Sequence, residues 1–284
     1  ENCSSLQYSP AYLPADSVGH LGYMQMFNGC AALITSPISL PLDVVSDSLY
    51  YQMFAGCSSL PVAVGTLGPS SVGKKGYYEM YKGCSSLVTA PQMPNLVSVG
   101  DSTCMGMYNG CQSLVNLGTW QPEHVGKSAC QDMFSGCSSL ADASPFRLKA
   151  ETIDTLSFYR MFANCAALTT APQIDAHFIE YRGCDSMFVS TPLTALPSMP
   201  NIELIADYGC KEMFRNCDAL TEVKGLTIGE VAKNGMQQMF QDCGGLTEVS
   251  QLNLPKLDTM ACYQMFASCS PQSVHDLTFG TMAY

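Results

Sequence analysis

The chain has 284 residues, 47% of them hydrophobic and only 13% charged, with a net charge of −11. That is enough apolar chain for a large core in one or two domains, while thirteen thinly spread Lys and Arg make no basic patch and exclude the footprint of a nucleic-acid binder. No apolar run approaches the ~18 residues of a membrane helix, and the first ten residues have neither the basic start nor the apolar core of a secretory signal.

From the N-terminus, Asn2 to Leu6 read "NCSSL", the tail of a phrase that then returns throughout the chain. The expectation is therefore a piece of a longer product, cut mid-repeat, with residues 1–284 forming one repeat domain. The phrase centres on a Met followed by Phe or Tyr. Its stations are Met26, Met53, Met80, Met107, Met133, Met161, Met187, Met213, Met239 and Met265, 26 to 28 residues apart. Eight residues before each Met stands a branched aliphatic: Val18, Val45, Val72, Val99, Val125, Ile153, Ile179, Ile205, Val231 or Leu257. Self-similarity at this period marks a solenoid of stacked coils.

Within each unit the elements follow in order. Three residues before the Met comes an apolar or soft side chain such as Tyr50 or Cys104, and the residue just before the Met is mostly polar. At 100° per residue this spacing predicts a short amphipathic helix. Gly29, Gly56, Gly83, Gly110 and Gly136, then Asn164 and Asn216, follow three residues after the Met, where a left-handed residue would end it. Cys comes next in nine of the ten units, read as a small buried filler against the turn. Leu follows, then Thr- and Val-rich stretches broken by Pro, such as "LTEVSQLNLP" from Leu246 to Pro255, which predict one short strand.

Phrases such as "YQMFAGCSSL" and "YYEMYKGCSSLVTAPQMPNL" resemble the BspA-like leucine-rich repeats of bacterial surface proteins. The likeness spans the whole chain, with a slightly longer period and Met where the commoner variant has Ala. It implies an α/β fold: a right-handed leucine-rich-repeat solenoid of about ten 26–28-residue coils, one short strand and one short helix per coil. It also implies a non-enzymatic surface module that adheres to a host, a neighbouring cell or matrix, with a protein or glycan partner. Repeats of this style are also similar to those of bacteriophage tail or fibre proteins, where sibling chains of an assembly would be the partners and the virion the location.

All fifteen Cys fall on two repeat positions, ten after the Gly station and five at the third residue before Met. No C-x-x-C occurs and no His has ligand spacing, so zinc is not expected, no cofactor is implied, and the thiols are read as reduced core residues. No nucleophile motif, P-loop or dinucleotide glycine pattern appears, and the chain is read as having no catalytic residues. Trp120 sits where other units carry Met93, Phe146 or Ile174 and is assigned to the core.

Two sets of residues are candidates for binding. Thr35, Thr89, Asn116, Asp142, Thr170, Glu222 and Glu248 stand nine residues after their Met stations and are expected to point outward from the sheet as a concave polar face. The seventh unit is worn, with Thr191 in place of Cys and Leu193 one residue early, and His177, Tyr181 and Arg182 at its start are expected to line a notch.

Overall fold

The computed structural model describes residues 3–13, 19–40, 45–69, 71–93, 95–118 and 120–282. Among the described residues there are twelve strands, all paired in parallel: β1 Ser71–Val72, β2 Ser98–Val99, β3 His124–Val125, β4 Arg147–Lys149, β5 Thr152–Ile153, β6 Gln173–Asp175, β7 Phe178–Ile179, β8 Leu204–Ile205, β9 Glu222–Lys224, β10 Glu230–Val231, β11 Glu248–Leu257 and β12 Ser273–Met282. The branched aliphatics stack in register. Val72 pairs with Val99 and Val99 with Val125, then Ile153 with Ile179, Ile179 with Ile205, Ile205 with Val231 and Val231 with Leu257. β4 and β6 form a separate two-stranded sheet. β9 and β11 begin a second ladder that runs on into β12.

This is a β-solenoid of about eight strand-bearing turns, not ten. The ladder has stations from Val72 to Leu257; Val45 joins it only through a single bridge to Val72, and Val18 lies outside the described residues.

The expected helix is also replaced. Among the described residues there is no α-helix, and the Met-aromatic segments are trains of overlapping turns. In residues 46–57, Leu49, Tyr51, Met53, Ala55 and Cys57 each donate their N–H to the carbonyl three residues back. The alternate residues Tyr50, Gln52, Phe54 and Gly56 donate instead to Gly76, Tyr78, Met80 and Lys82 of the next coil. Half of the N–H groups that a helix would use internally thus tie one coil to the next.

The side-chain pattern gives the reason. Leu49 and Tyr50 are buried, then Met53 and Phe54, then Cys57. The repeat of this pattern is four residues, two in and two out, where a helix would need 3.6. Every fourth residue takes a left-handed backbone to hold that period: Ser48, Gln52 and Gly56 have φ of 55°, 50° and 74°. Gly56 and its counterparts therefore are left-handed, but as one of three such residues per ribbon.

Inside the ribbon the aromatics form one column from Phe27 to Phe266, with neighbouring ring centroids 5.2–5.8 Å apart and nearly parallel. Beside it runs a thiol column. Cys57, Cys84, Cys111, Cys137 and Cys165 each donate Sγ–H to the carbonyl of the aromatic residue one coil earlier, at 3.1–3.2 Å. All fifteen cysteines are free thiols. Trp120 is buried, its Nε1 donating to the Leu96 carbonyl at 2.9 Å and its ring edge-on to Phe146.

Candidate binding face

The residues nine after each Met make a ladder of their own. Thr89 bridges Val62 on one side and Asn116 on the other, Asp142 bridges Thr170, and Glu222 pairs with Glu248. Thr35, Asn116, Asp142, Thr170 and Glu222 are exposed, and Thr89 and Glu248 half-buried. Neighbours tie them down locally. The Asn116 amide donates to Thr89 Oγ1 at 3.3 Å, Asp142 Oδ1 accepts the Ser144 N–H at 2.8 Å, and Thr35 Oγ1 accepts the Ser9 N–H at 3.0 Å. Glu248 Oε1 accepts from Ser250 Oγ at 3.0 Å and lies 3.5 Å from His275 Nε2.

Among the described residues the ladder has no bridge between Asn116 and Asp142, and it breaks again at the worn unit, where two open grooves of about 400 Å³ each flank residues 194–200. One lies against Thr169 to Gln173, the other against Lys224 to Leu226, and a smaller one of about 260 Å³ joins Thr194 to Leu196 with Thr221, Glu222 and Lys224. The local sequence explains the break. Pro192, Pro197 and Pro200 have no N–H to give to a ladder. On one side Thr194 N–H still reaches the Thr169 carbonyl at 3.4 Å and Ile174 N–H the Ser198 carbonyl at 3.0 Å. Among the described residues no backbone hydrogen bond joins 194–200 to 221–226 on the other.

Thr170 and Glu222 therefore line separate grooves on the two sides of residues 194–200. Between them the grooves carry hydroxyls (Thr169, Thr170, Thr194, Ser198), the Gln173 amide and a Glu222–Lys224 pair at 3.5 Å, with Leu196 and Leu226 as aliphatic lining. Such a surface offers hydrogen bonds to a neutral polar ligand with little net charge.

His177, Tyr181 and Arg182 do not line it. They lie at β7 and the start of the next ribbon, and their contacts are internal. His177 Nδ1 is 2.9 Å from Glu203 Oε1, and Tyr181 stands edge-on to Tyr208. Arg182 Nε donates to Asp185 at 2.6 Å while its guanidinium lies over the Tyr159 ring. Burial raises the Asp185 carboxyl above the usual carboxylate range.

A further groove of about 400 Å³ opens where the ladder steps from β3 to β5. The interval from Val125 to Ile153 is 28 residues there, the longest between successive stations. Glu123, His124, Glu151 and Asp154 line it, and among the described residues no group of side chains is arranged to hold a metal ion. The buried thiols of the columns are held in their neutral form. Burial pushes Cys57, Cys104, Cys111, Cys165 and Cys243 up to about 12, so they stay protonated at neutral pH.

No family model matches the chain, and no curated protein is significantly similar in sequence. Among solved structures it is similar to a leucine-rich repeat protein from Bacteroides ovatus ATCC 8483, with a TM-score of 0.51 and 18% identity, over 99% of this chain and 76% of that one. A leucine rich cell surface protein from Faecalibacterium prausnitzii A2-165 is similar at a TM-score of 0.35 and 14% identity, over 87% of this chain and 73% of that one. The first likeness places the fold among leucine-rich-repeat solenoids.

Proposed function

We propose that this leucine-rich-repeat solenoid is a non-enzymatic binding module of an extracellular or cell-surface setting. It recognises a protein or glycan partner through its ladder face, centred on the depression along 194–200. The observation that supports this reading is the interrupted ladder itself. One worn unit removes the backbone pairing on one side, and the hydroxyls of Thr170, Thr194 and Ser198 line the groove on one flank of 194–200 while Glu222 and Lys224 line the groove on the other. Repeat solenoids bind along such surfaces because each coil contributes one rung of side chains at a fixed spacing. Among the described residues no helix is long and apolar enough to cross a membrane.

The test is an array of glycans and extracellular-matrix proteins probed with the wild-type chain and with Leu196→Arg, which fills the depression. Loss of the wild-type hits in the variant supports the reading. Identical hit lists, or no hits for the wild type, overturn it.

A further inference from the structure

Among the described residues β9 is paired along one edge, the one toward β11. On that side Glu248 N–H donates to the Thr221 carbonyl at 3.2 Å and Gly225 N–H to the Ser250 carbonyl at 3.3 Å. Backbone groups of a strand point to alternate edges, so Val223 shares that side. The N–H and C=O of Glu222 and Lys224 point the other way, toward residues 194–200. Among the described residues no backbone hydrogen bond meets them there. One coil on, the same position is filled, since Glu248 N–H is bonded to Thr221. At the worn unit Pro197 and Pro200 bring no N–H to the rung.

The space beside this edge is open. The groove of about 260 Å³ and the groove of about 400 Å³ on this flank share Leu196 and Lys224, so they run end to end as one cleft along β9. We propose that this cleft takes an extended polypeptide segment of a partner protein as an added strand beside β9. The inference rests on the reading of 194–200 as the binding site and names the chemistry of its partner.

Two observations select that occupant. The outward groups of Glu222 and Lys224 recur every second residue, ~6.6 Å apart, which is the repeat at which an extended chain presents N–H and C=O along one edge. The second observation is charge. Glu222 and Lys224 are exposed, and their charged ends lie 3.5 Å apart. A segment with a basic residue beside Glu222 and an acidic residue beside Lys224 meets an opposite charge at both rungs. The residue between them faces inward with the buried Val223, where Leu196 and Leu226 line the cleft, and is apolar.

An array of short peptides centred on basic–apolar–acidic and acidic–apolar–basic triplets, spotted beside glycans and probed with the full chain, tests this. The wild type prefers one charge order, and the paired exchange of Glu222→Lys with Lys224→Glu prefers the other. Both positions are exposed, and circular dichroism confirms the fold of the variant. On the best peptide, N-methylation of one alternate set of backbone N–H groups weakens binding about tenfold or more, while methylation of the other set leaves it unchanged. Equal loss from the two methylated sets, or the same charge order in the exchanged variant, would overturn the added strand. Hits on glycans alone that Leu196→Arg abolishes overturn the added strand and leave the binding site standing. Peptide hits that survive Leu196→Arg, or no hits of either class, overturn both.

Discussion

The thiol of Cys57 lies 3.1 Å from the carbonyl oxygen of Phe27, one coil earlier, and donates to it. The same carbonyl accepts the N–H of Cys30 in its own turn. The carbonyls of Phe27, Phe54, Tyr81, Tyr108 and Phe134 each have two such donors, and the cysteine supplies the one that crosses between coils. The worn unit shows the alternative. Thr191 turns its hydroxyl to the carbonyl of Phe188 in its own coil, at 2.8 Å, and that inter-coil thiol bond is replaced.

Cys84→Ala is accordingly expected to cost about 1–2 kcal/mol, the sum of a modest hydrogen bond and a small void in a buried column. Urea unfolding measures it. The Phe54 carbonyl keeps its own-turn donor, the N–H of Cys57, so a loss of 4 kcal/mol or more would point to a role beyond packing and this bond.

Alkaline pH is expected to destabilise the fold. The folded thiols of Cys104, Cys111 and Cys165 are raised from 9.0 to about 12 by burial. Below pH 9 the thiols are protonated whether the chain is folded or not, and their contribution is fully present. Between pH 9 and about 12 the unfolded chain loses protons that the folded chain keeps, so stability falls by up to about 1.4 kcal/mol per pH unit for each such thiol. Melting temperatures recorded from pH 7 to 11 should be level at first and then fall steeply above 9; a level profile to pH 11 contradicts the buried columns.

Ser48 has a left-handed backbone with φ 55°. Ser48→Gly removes the Cβ penalty of that conformation but frees the unfolded chain, and the net is expected to be neutral to about 1 kcal/mol stabilising. Ser48→Ile places a branched side chain there and is expected to cost about 2 kcal/mol. A regular helix would reverse the order, with Gly the worse of the two, so the pair measured by thermal unfolding separates the turn ribbon from the helix.

Trp120→Phe is expected to cost about 2–3 kcal/mol, since it empties part of a buried site against Phe146 and leaves the Leu96 carbonyl without the indole donor. An unchanged unfolding midpoint would move Trp120 out of the core.

Much of this architecture can be read from residue identities because equivalent positions stack. The branched aliphatics Val72 and Val99, the column Phe54–Tyr81 and the cysteine stations repeat at one interval, and a repeat that packs only on its neighbours must put them in register. The ribbon is harder to read. Apolar pairs such as Leu49 with Tyr50 and Met53 with Phe54 drift by only ~40° per four residues on a helical wheel, so over one short segment both periods fit. Only the station three residues after the Met carries Gly, Asn, Asp or Ser throughout; the other two left-handed stations hold residues as varied as Leu156, Arg160, Tyr208 and Glu212, so residue type does not announce the four-residue period.

The depression was legible as a worn unit but not in its place. The irregularity of Thr191 and Leu193 emerges downstream, where Pro197 and Pro200 should have joined the ladder, and not upstream at His177. Val62 stands in the polar column, and Ile34, Val88 and Val115 fill the one beside it.

The alternation of own-turn and next-coil hydrogen bonds also sets how the molecule answers a pull. Tension on the two ends acts first on a terminal coil, whose ribbon is held along one side only, and detaches it before loading the next. Each detachment frees about 26 residues, close to 90 Å of extended chain. Under load the protein should therefore lengthen in a series of similar steps, absorbing work coil by coil instead of giving way at once.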